Sequence, residues 1–323
     1  MFSLRPSATR CSPPAPLVGL AGGLLRAAAS VLLVAWGVAT VTFMLMRAIP
    51  GGPLSRERTP PAAVRNAIAA RYHLDDPLWR QYVRYLGDAA RGTFGLSYDH
   101  PGRTVGEIIA QRLPVSAVLG ALALGLALAA AFPLGVAGAL HQGRWPDRLN
   151  AGFAAAGVSV PSFILGALLL YTFAYRLRWF PATGWFGLSS AILPAAALAA
   201  LPAAYLARLI RSELVEVLHS EFLLTARAKG LSLPRVVLVH ALRHTLSPVL
   251  AYLGPQAAAI MTGSFVIERI FNIPGLGEQF VTSITNRNYP MIMGVTLLYT
   301  VMLVVFNLAA DALARWLDPR LRQ

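Results

Sequence analysis

The stretch Glu221–Gly230, EFLLTARAKG, continues as LSLPRVVLVHALRHTLSP to Pro248 and lies between two apolar segments, Ala191–Ile210 and Leu246–Val266. Each neighbour is about 20 residues long, which at ~1.5 Å rise per residue crosses ~30 Å of hydrocarbon as a helix. A polar, amphipathic insert of this size between two spans predicts contact with something in the cytoplasm. It also holds the only lysine of the chain, Lys229.

Working outward, four more stretches are long and apolar enough to span: Leu24–Met46, Pro114–Leu140, Leu149–Tyr175 and Met291–Ala314. The predicted fold is therefore all-α and integral to a membrane, with six transmembrane helices. Pro133, Pro161, Pro194 and Pro202 fall inside spans two to four. Bilayer helices tolerate proline when neighbouring helices re-satisfy the freed carbonyls, so these spans should pack as a bundle.

Composition agrees. The chain has 323 residues, 13% of them charged, against roughly 25% in soluble domains. Its formal net charge of +14 sits in loops and at span ends, where the positive-inside bias accounts for it. Without the basic-aromatic interleaving of single-strand binders, nucleic acid is not an expected partner. A single cysteine, Cys11, excludes an intrachain disulfide and a cysteine metal cluster. Ala27–Met46 exceeds the 7–15 residues of a signal-peptide core, so it reads as a retained first span.

Arginines set the orientation. Arg5, Arg10 and Arg26 precede span one, Arg144 and Arg148 lie between spans two and three, and Arg315, Arg320 and Arg322 form the tail. With Arg208, Arg211, Arg227, Lys229, Arg235 and Arg243 of the insert, they share one side if both termini are cytoplasmic. The loop Arg47–Arg112 carries ten arginines on the opposite side, but six acidic residues sit among them. It exceeds the ~60-residue length at which the charge rule fades. Within it Pro60–Tyr72 and Pro77–Leu86 read as short helices, with Asp75 and Asp76 placed to cap the second. The N-terminal segment, with Pro6 and Pro13–Pro16, reads as disordered.

Inside the insert, Ser220 can cap a short helix with Glu221 in its first turn. Gly230 supplies a left-handed residue that ends it. Ser232 then caps a second helix, and Pro248 marks the start of span five. Phe222 is a candidate anchor, and small side chains at Thr225, Ala226 and Ala228 would let another protein approach closely. Lys229 is read equally well as a contact to that protein or as a favourable charge at the helix C-terminus. Asp311, near the inner end of span six, reads as a partner for an arginine of that face. Glu213 and Glu216 read as a solvated face or as partners of Arg208 and Arg211.

TARAKG followed by HALRHTLSP resembles the EAA loop of ABC importer permeases, in the form of the dipeptide/oligopeptide/nickel permease family, B-type subunit. Further matching segments are LDDPLWRQYVRYLGDAARGTFGLSY (74–98), QRLPVSAVLG (111–120), SVPSFILG (159–166), IERIFNIPGLGEQF (267–280) and NLAADALARWLDPR (307–320). Thr93-Phe94 stands where the family usually has Asp-Leu, Asn288 where it usually has Asp, and His244 where it usually has Asn.

The resemblance implies a type I ABC importer permease fold. It divides the chain into a cytoplasmic segment (1–23), a first span (24–46) and a structured periplasmic loop (47–112). A five-helix transmembrane domain (113–314) containing a coupling loop (212–247) and a cytoplasmic tail (315–323) follow. Glu221, Phe222, Leu223, Thr225, Ala226, Arg227, Lys229 and Gly230 would form the coupling helix that docks on a separate ATPase subunit. Glu268, Phe271, Pro274, Gly275 and Gly277 would lie at the periplasmic mouth, on the side of a substrate-binding protein.

The implied partners are a second homologous permease, two ATP-binding cassette subunits, the binding protein, the bilayer of a bacterial inner membrane and a peptide substrate. Nickel chelates and glutathione are the other cargoes the resemblance admits. A Walker A loop, G-x-x-x-x-G-K-[ST], needs a lysine that this chain has only in Ala228-Lys229-Gly230. ATP and Mg would therefore be bound by the partner subunits, with no cofactor and no catalytic residue in this chain.

Overall fold

The structure, a computed structural model, describes residues 18–48 and 69–317. The expected N-terminal segment to residue 17, most of the helix expected at Pro60–Tyr72, and residues 318–323 of the tail lie outside the described residues. Among the described residues five helices are long and apolar enough to cross a membrane, or six if one bent pair counts as a single span.

The elements in order are α1 (Val18–Ala48), α2 (Leu78–Ala90), α3 (Val105–Leu140), α4 (Trp145–Ser159), α5 (Ser162–Leu169), α6 (Leu188–Leu218) and α7 (Glu221–Ala228). There follow α8 (Leu242–Met261), α9 (Phe265–Ile270), α10 (Leu276–Thr285) and α11 (Tyr289–Leu317). The bundle has two ends. One carries α2, α9 and α10; the other carries α7.

Helix α6 is the centre. It buries Ala191, Ala195, Ala197, Ala199, Ala203, Ala204 and Ala207 along with Leu206, Ile210 and Leu214. Its main neighbour is α3, whose buried Gly120, Ala123, Ala127, Ala131, Gly135 and Ala139 recur at helical spacing. Between membrane helices no hydrophobic drive exists, so close van der Waals approach of small residues holds the pair. At Gly135 the approach is close enough that an added Cβ would come within 2.8 Å of the Ala207 carbonyl oxygen. Gly157 of α4 is similar, its missing Cβ falling 2.5 Å from Ala204 Cβ.

The third expected span differs from the structure. Leu149–Tyr175 was expected as one helix, but α4 and the Ser162–Arg176 helix meet at a 99° bend. Val160 sits in extended conformation before Pro161, because the proline ring excludes its predecessor from the helical region. Past α5 the chain widens into a π-helical segment, Leu170–Arg176, closed by the Leu177 N–H bonding Thr172 O at 3.0 Å.

Helix α3 begins earlier than the hydropathy pattern indicates. Thr104 and Glu107 form a reciprocal capping box: Glu107 N–H donates to Thr104 Oγ1 (3.2 Å) and Thr104 N–H to Glu107 Oε2 (3.4 Å). Helix α2 runs to Ala90 rather than Leu86, and its N-cap is Pro77, not an aspartate. Asp76 instead accepts from Arg84 at 2.8 Å. Pro248 does not start a span either. Leu233–Arg235, a π-helical Val236–Ala241 and α8 run on without a break, with Pro248 and Pro255 inside α8.

Candidate functional site

Residues expected to act with partners fall at both ends of the bundle, and the two ends are built differently. At one, α7 is a two-turn helix lying on the ends of α3 and α6. Leu223 is its anchor, 1% exposed and packed with Ala139, Leu214, Val236, Val237 and Ala241. Glu221, Thr225, Ala228, Lys229 and Gly230 are exposed. Leu223 was expected to face a partner; it faces this chain instead, because an apolar side chain on a short helix is what fixes it to the bundle. The side chains of Phe222, Ala226 and Arg227 lie outside the described residues.

The ends of α7 follow from local chemistry. The Leu223 N–H opens it by bonding the Ser220 carbonyl at 3.1 Å. The Ser220 hydroxyl, expected as the cap, turns back to donate to Val217 O at 2.5 Å. Gly230 has φ +80° with open space around its α-carbon. The left-handed backbone, not crowding, therefore demands glycine there. A second support comes from Asp147 of α4, which takes Arg211 of α6 in two bonds of 2.8 and 3.0 Å. That pairing replaces the one expected between Arg211 and Glu213 or Glu216. Asp311 is exposed, and Arg315 reaches its backbone carbonyl at 3.2 Å rather than its carboxylate.

At the other end Glu268 has no exposed surface. Its Oε1 accepts from Ser116 Oγ at 2.7 Å, and its Oε2 from Glu278 N–H at 2.8 Å, with Gly277 N–H as a further donor. Ser116 Oγ in turn accepts from Leu276 N–H at 2.8 Å. Leu276, Gly277 and Glu278 form the first turn of α10, and the first N–H groups of a helix have no partner within it. A carboxyl group from α9 and a hydroxyl from α3 supply those partners, at the positive end of the α10 dipole.

The glycines are the space this arrangement requires. An added Cβ would lie 2.3 Å from Glu268 Cδ at Gly275, 2.4 Å from Glu268 Oε1 at Gly263, and 2.9 Å from Phe265 N at Gly277. Arg112 closes the rim, bonding Gly275 O and Glu278 Oε2 at 3.3 Å each, while Arg269 holds Glu278 Oε1 at 3.0 Å.

The expected mouth residues Glu268, Phe271, Pro274, Gly275 and Gly277 are thus brought together, but as a buried cradle rather than a surface. Of the five only Pro274 is exposed. Hydropathy places Glu268 in a polar loop and cannot show that Ser116, from a span 152 residues earlier, meets it.

Beside this cradle, Asn288 fixes the loop before α3 to the start of α11. Its Nδ2 donates to Ser97 Oγ (2.9 Å) and Asp99 Oδ2 (3.1 Å), and its Oδ1 accepts from Tyr98 N–H (3.3 Å). An ionised aspartate at 288 would have no donor for Asp99, which accounts physically for asparagine here. Nearby, burial pushes the Tyr85 and Tyr98 phenols up to about 12. Tyr85 donates to Met293 O at 3.4 Å and Arg47 bonds Gln81, tying α1, α2 and α11 together.

Residues 131–323 match the family model described as binding-protein-dependent transport system inner membrane component. The chain is 44% identical over 285 residues to the dipeptide transport system permease protein DppB of Bacillus subtilis (strain 168), covering 88% of this chain and 92% of that one. It is 42% identical to the oligopeptide transport system permease protein OppB of Escherichia coli (strain K12), covering 88% and 93%.

Among solved structures, one of an amino acid ABC transporter with histidines aligns at TM-score 0.51 and 16% identity, over 65% of this chain and 94% of that one. An inward-facing MetNI methionine ABC transporter aligns at TM-score 0.55 and 15% identity, over 65% and 96%. At such identity these two speak for the fold, which is that of a type I ABC importer permease. With the spanning helices, the family match and the close full-length relatives, the chain belongs to the inner-membrane components of binding-protein-dependent transport systems, among the dipeptide/oligopeptide ABC permeases.

Proposed function

We propose that this chain is a membrane-spanning permease subunit of an ATP-driven importer and, with a second permease, encloses the path for di- and oligopeptides. The names of its relatives DppB and OppB support the cargo class. Both termini face the cytoplasm, as does α7, and two separate ATPase subunits dock there. The α10 end faces the periplasm and receives the binding protein. ATP binds the closed ATPase pair better than the open one, and that differential affinity shifts the spans between two states of access. No nucleotide is handled by this chain.

The observation that carries the reading is α7 itself. Among its described side chains Leu223 is buried against the bundle while Glu221, Thr225 and the following Lys229 face outward, and the helix ends on a glycine in left-handed conformation. A helix so mounted can take a push on its exposed face and pass it through Leu223 to α3, α6 and the segment leading into α8.

The test is ATP-dependent uptake of a labelled dipeptide by the complete complex in proteoliposomes. Gly230→Pro, which φ +80° forbids, should abolish uptake and ATPase stimulation while membrane insertion stays normal. Unchanged uptake in that variant would remove α7 from the mechanism.

A further inference from the structure

Helix α2 presents three faces. Gln81 and Tyr85 share one and are buried against the bundle. Tyr82, beside them on the helix surface, meets α1. At ~100° per residue, Trp79 and Val83 fall within ~100° of Tyr82, whereas Arg80 and Arg84 fall ~160° from it, nearly opposite. Trp79 and Val83 are 63% and 58% exposed, and both arginines are exposed too.

The Tyr82 contact sets the depth of this helix. Thr40 Oγ1 donates to Trp36 O at 2.7 Å, which places its one proton. The Tyr82 hydroxyl, 2.7 Å from Thr40 Oγ1, is therefore the donor between the two. In α1 the segment Ala28–Ala48 is the span, 21 residues long, which matches the ~30 Å of a hydrocarbon core. Thr40 lies about two turns, ~12 Å, inside the end of that span. A tyrosine side chain is shorter than this, so the α2 backbone at Tyr82 lies no further out than the end of the span.

At that level hydrocarbon gives way to headgroups. Scattered exposed apolar residues are ordinary, but these stand at membrane depth, where α1 also exposes Val41, Met44 and Leu45. With arginines on the opposite side, α2 has the pattern of an amphipathic helix lying in the plane of a bilayer. Tryptophan suits that boundary, its ring among acyl chains and its N–H near water. Arg80 sits with Cζ 5.3 Å from the Trp79 ring centroid. Among the described residues it has no carboxylate partner, whereas Arg84 is held by Asp76 at 2.8 Å. A docking protein would have to reach to the level of the hydrocarbon to cover Trp79 and Val83, where lipid already lies.

We infer that α2 is an interfacial helix, with Trp79 and Val83 in the acyl region of the leaflet on the α10 side and Arg80 at a lipid phosphate. It anchors the α1–α11 pair at a fixed depth, since Arg47 of α1 bonds Gln81 and Tyr85 donates to Met293 O of α11. The inference rests on α1 being a span and is independent of cargo and of which side is cytoplasmic.

The experiment uses the complete complex in vesicles of phosphatidylcholine and phosphatidylglycerol, with Cys11 replaced by serine and the partners' cysteines removed. A nitroxide is attached to Val83→Cys or to Arg84→Cys, both exposed positions. Collision with oxygen, which concentrates in hydrocarbon, is compared with collision with a water-soluble nickel chelate. The oxygen-to-nickel ratio should be severalfold higher at position 83 than at position 84.

Trp79→Asp should lower the ratio at position 83, and Trp79→Phe should preserve it. Equal ratios at the two positions, with the nickel chelate reaching both, would put α2 in water and overturn the inference. Weak collision with both reagents at position 83 would mean that protein covers this face, and would overturn it as well. A ratio unmoved by Trp79→Asp would remove Trp79 as the anchor.

Discussion

The two ends of this bundle solve opposite problems with the same material. At the α10 end a carboxyl group is sunk out of solvent, and three glycines clear the space for it. A serine and two backbone N–H groups then satisfy it. At the α7 end, among the described side chains, Leu223 is sunk and the polar residues face outward. The first is polar inside and locks α3, α9 and α10 to one another. The second is apolar inside and leaves a short helix presentable to another protein. Hydrogen bonds that cannot be lost singly fix the shape of the first, whereas a buried leucine gives the second a firm foot on the bundle.

Breaking the cradle should have the largest effect. Glu268→Leu strips the first turn of α10 of its acceptor and leaves buried N–H groups unpaired, at ~1–3 kcal/mol for each group. Thermal unfolding of the purified complex should show a marked loss of stability, and uptake should fail with it. Glu268→Gln, which keeps an acceptor, should be much milder.

Next comes Gly135→Leu, which drives a side chain into backbone 2.8 Å away on α6. Overpacking of this kind costs ~1–3 kcal/mol, readable as a lower melting temperature with both ends still formed.

Leu223→Ala removes a buried leucine side chain, and the loosening it causes should stay local to α7. Its signature differs from that of the cradle: faster amide exchange confined to 221–230 and lost ATPase stimulation, with the α10 end unchanged. Equal loosening of both ends would mean that they are not independent.

Smallest is Gly230→Ala. Space is open there, so only the left-handed backbone penalty of ~1–2 kcal/mol applies. Global stability should barely move while α7 frays at its C-terminus.

Much of this architecture is legible in the sequence, because a bilayer imposes a length and polarity that 20-residue windows can see. Five of the six expected spans appear as helices, and Gly230 adopts the left-handed turn assigned to it. The bend at Val160-Pro161 is also written locally, but hydropathy averages across it.

The Thr104-Val105-Gly106-Glu107 capping box is a plain four-residue signal that an apolar window begins too late to catch. Tertiary pairings are what the chain does not announce. Glu268 reads as a loop acid until Ser116 is brought to it, and Arg211 has acidic neighbours at 213 and 216 yet pairs across helices with Asp147. Leu223 looks like any residue of a docking motif; only the packing shows that it faces inward.

On the proposed reading the two ends meet different partners, and cross-linking tests that directly. With Cys11 replaced by serine, Thr225→Cys and Pro274→Cys would each place one thiol on an exposed position, at the α7 and α10 ends respectively. In the complete complex, a short bifunctional maleimide should join the thiol at position 225 to an ATPase subunit and the thiol at position 274 to the binding protein. The reverse pattern, or an ATPase subunit captured from position 274, would contradict the account.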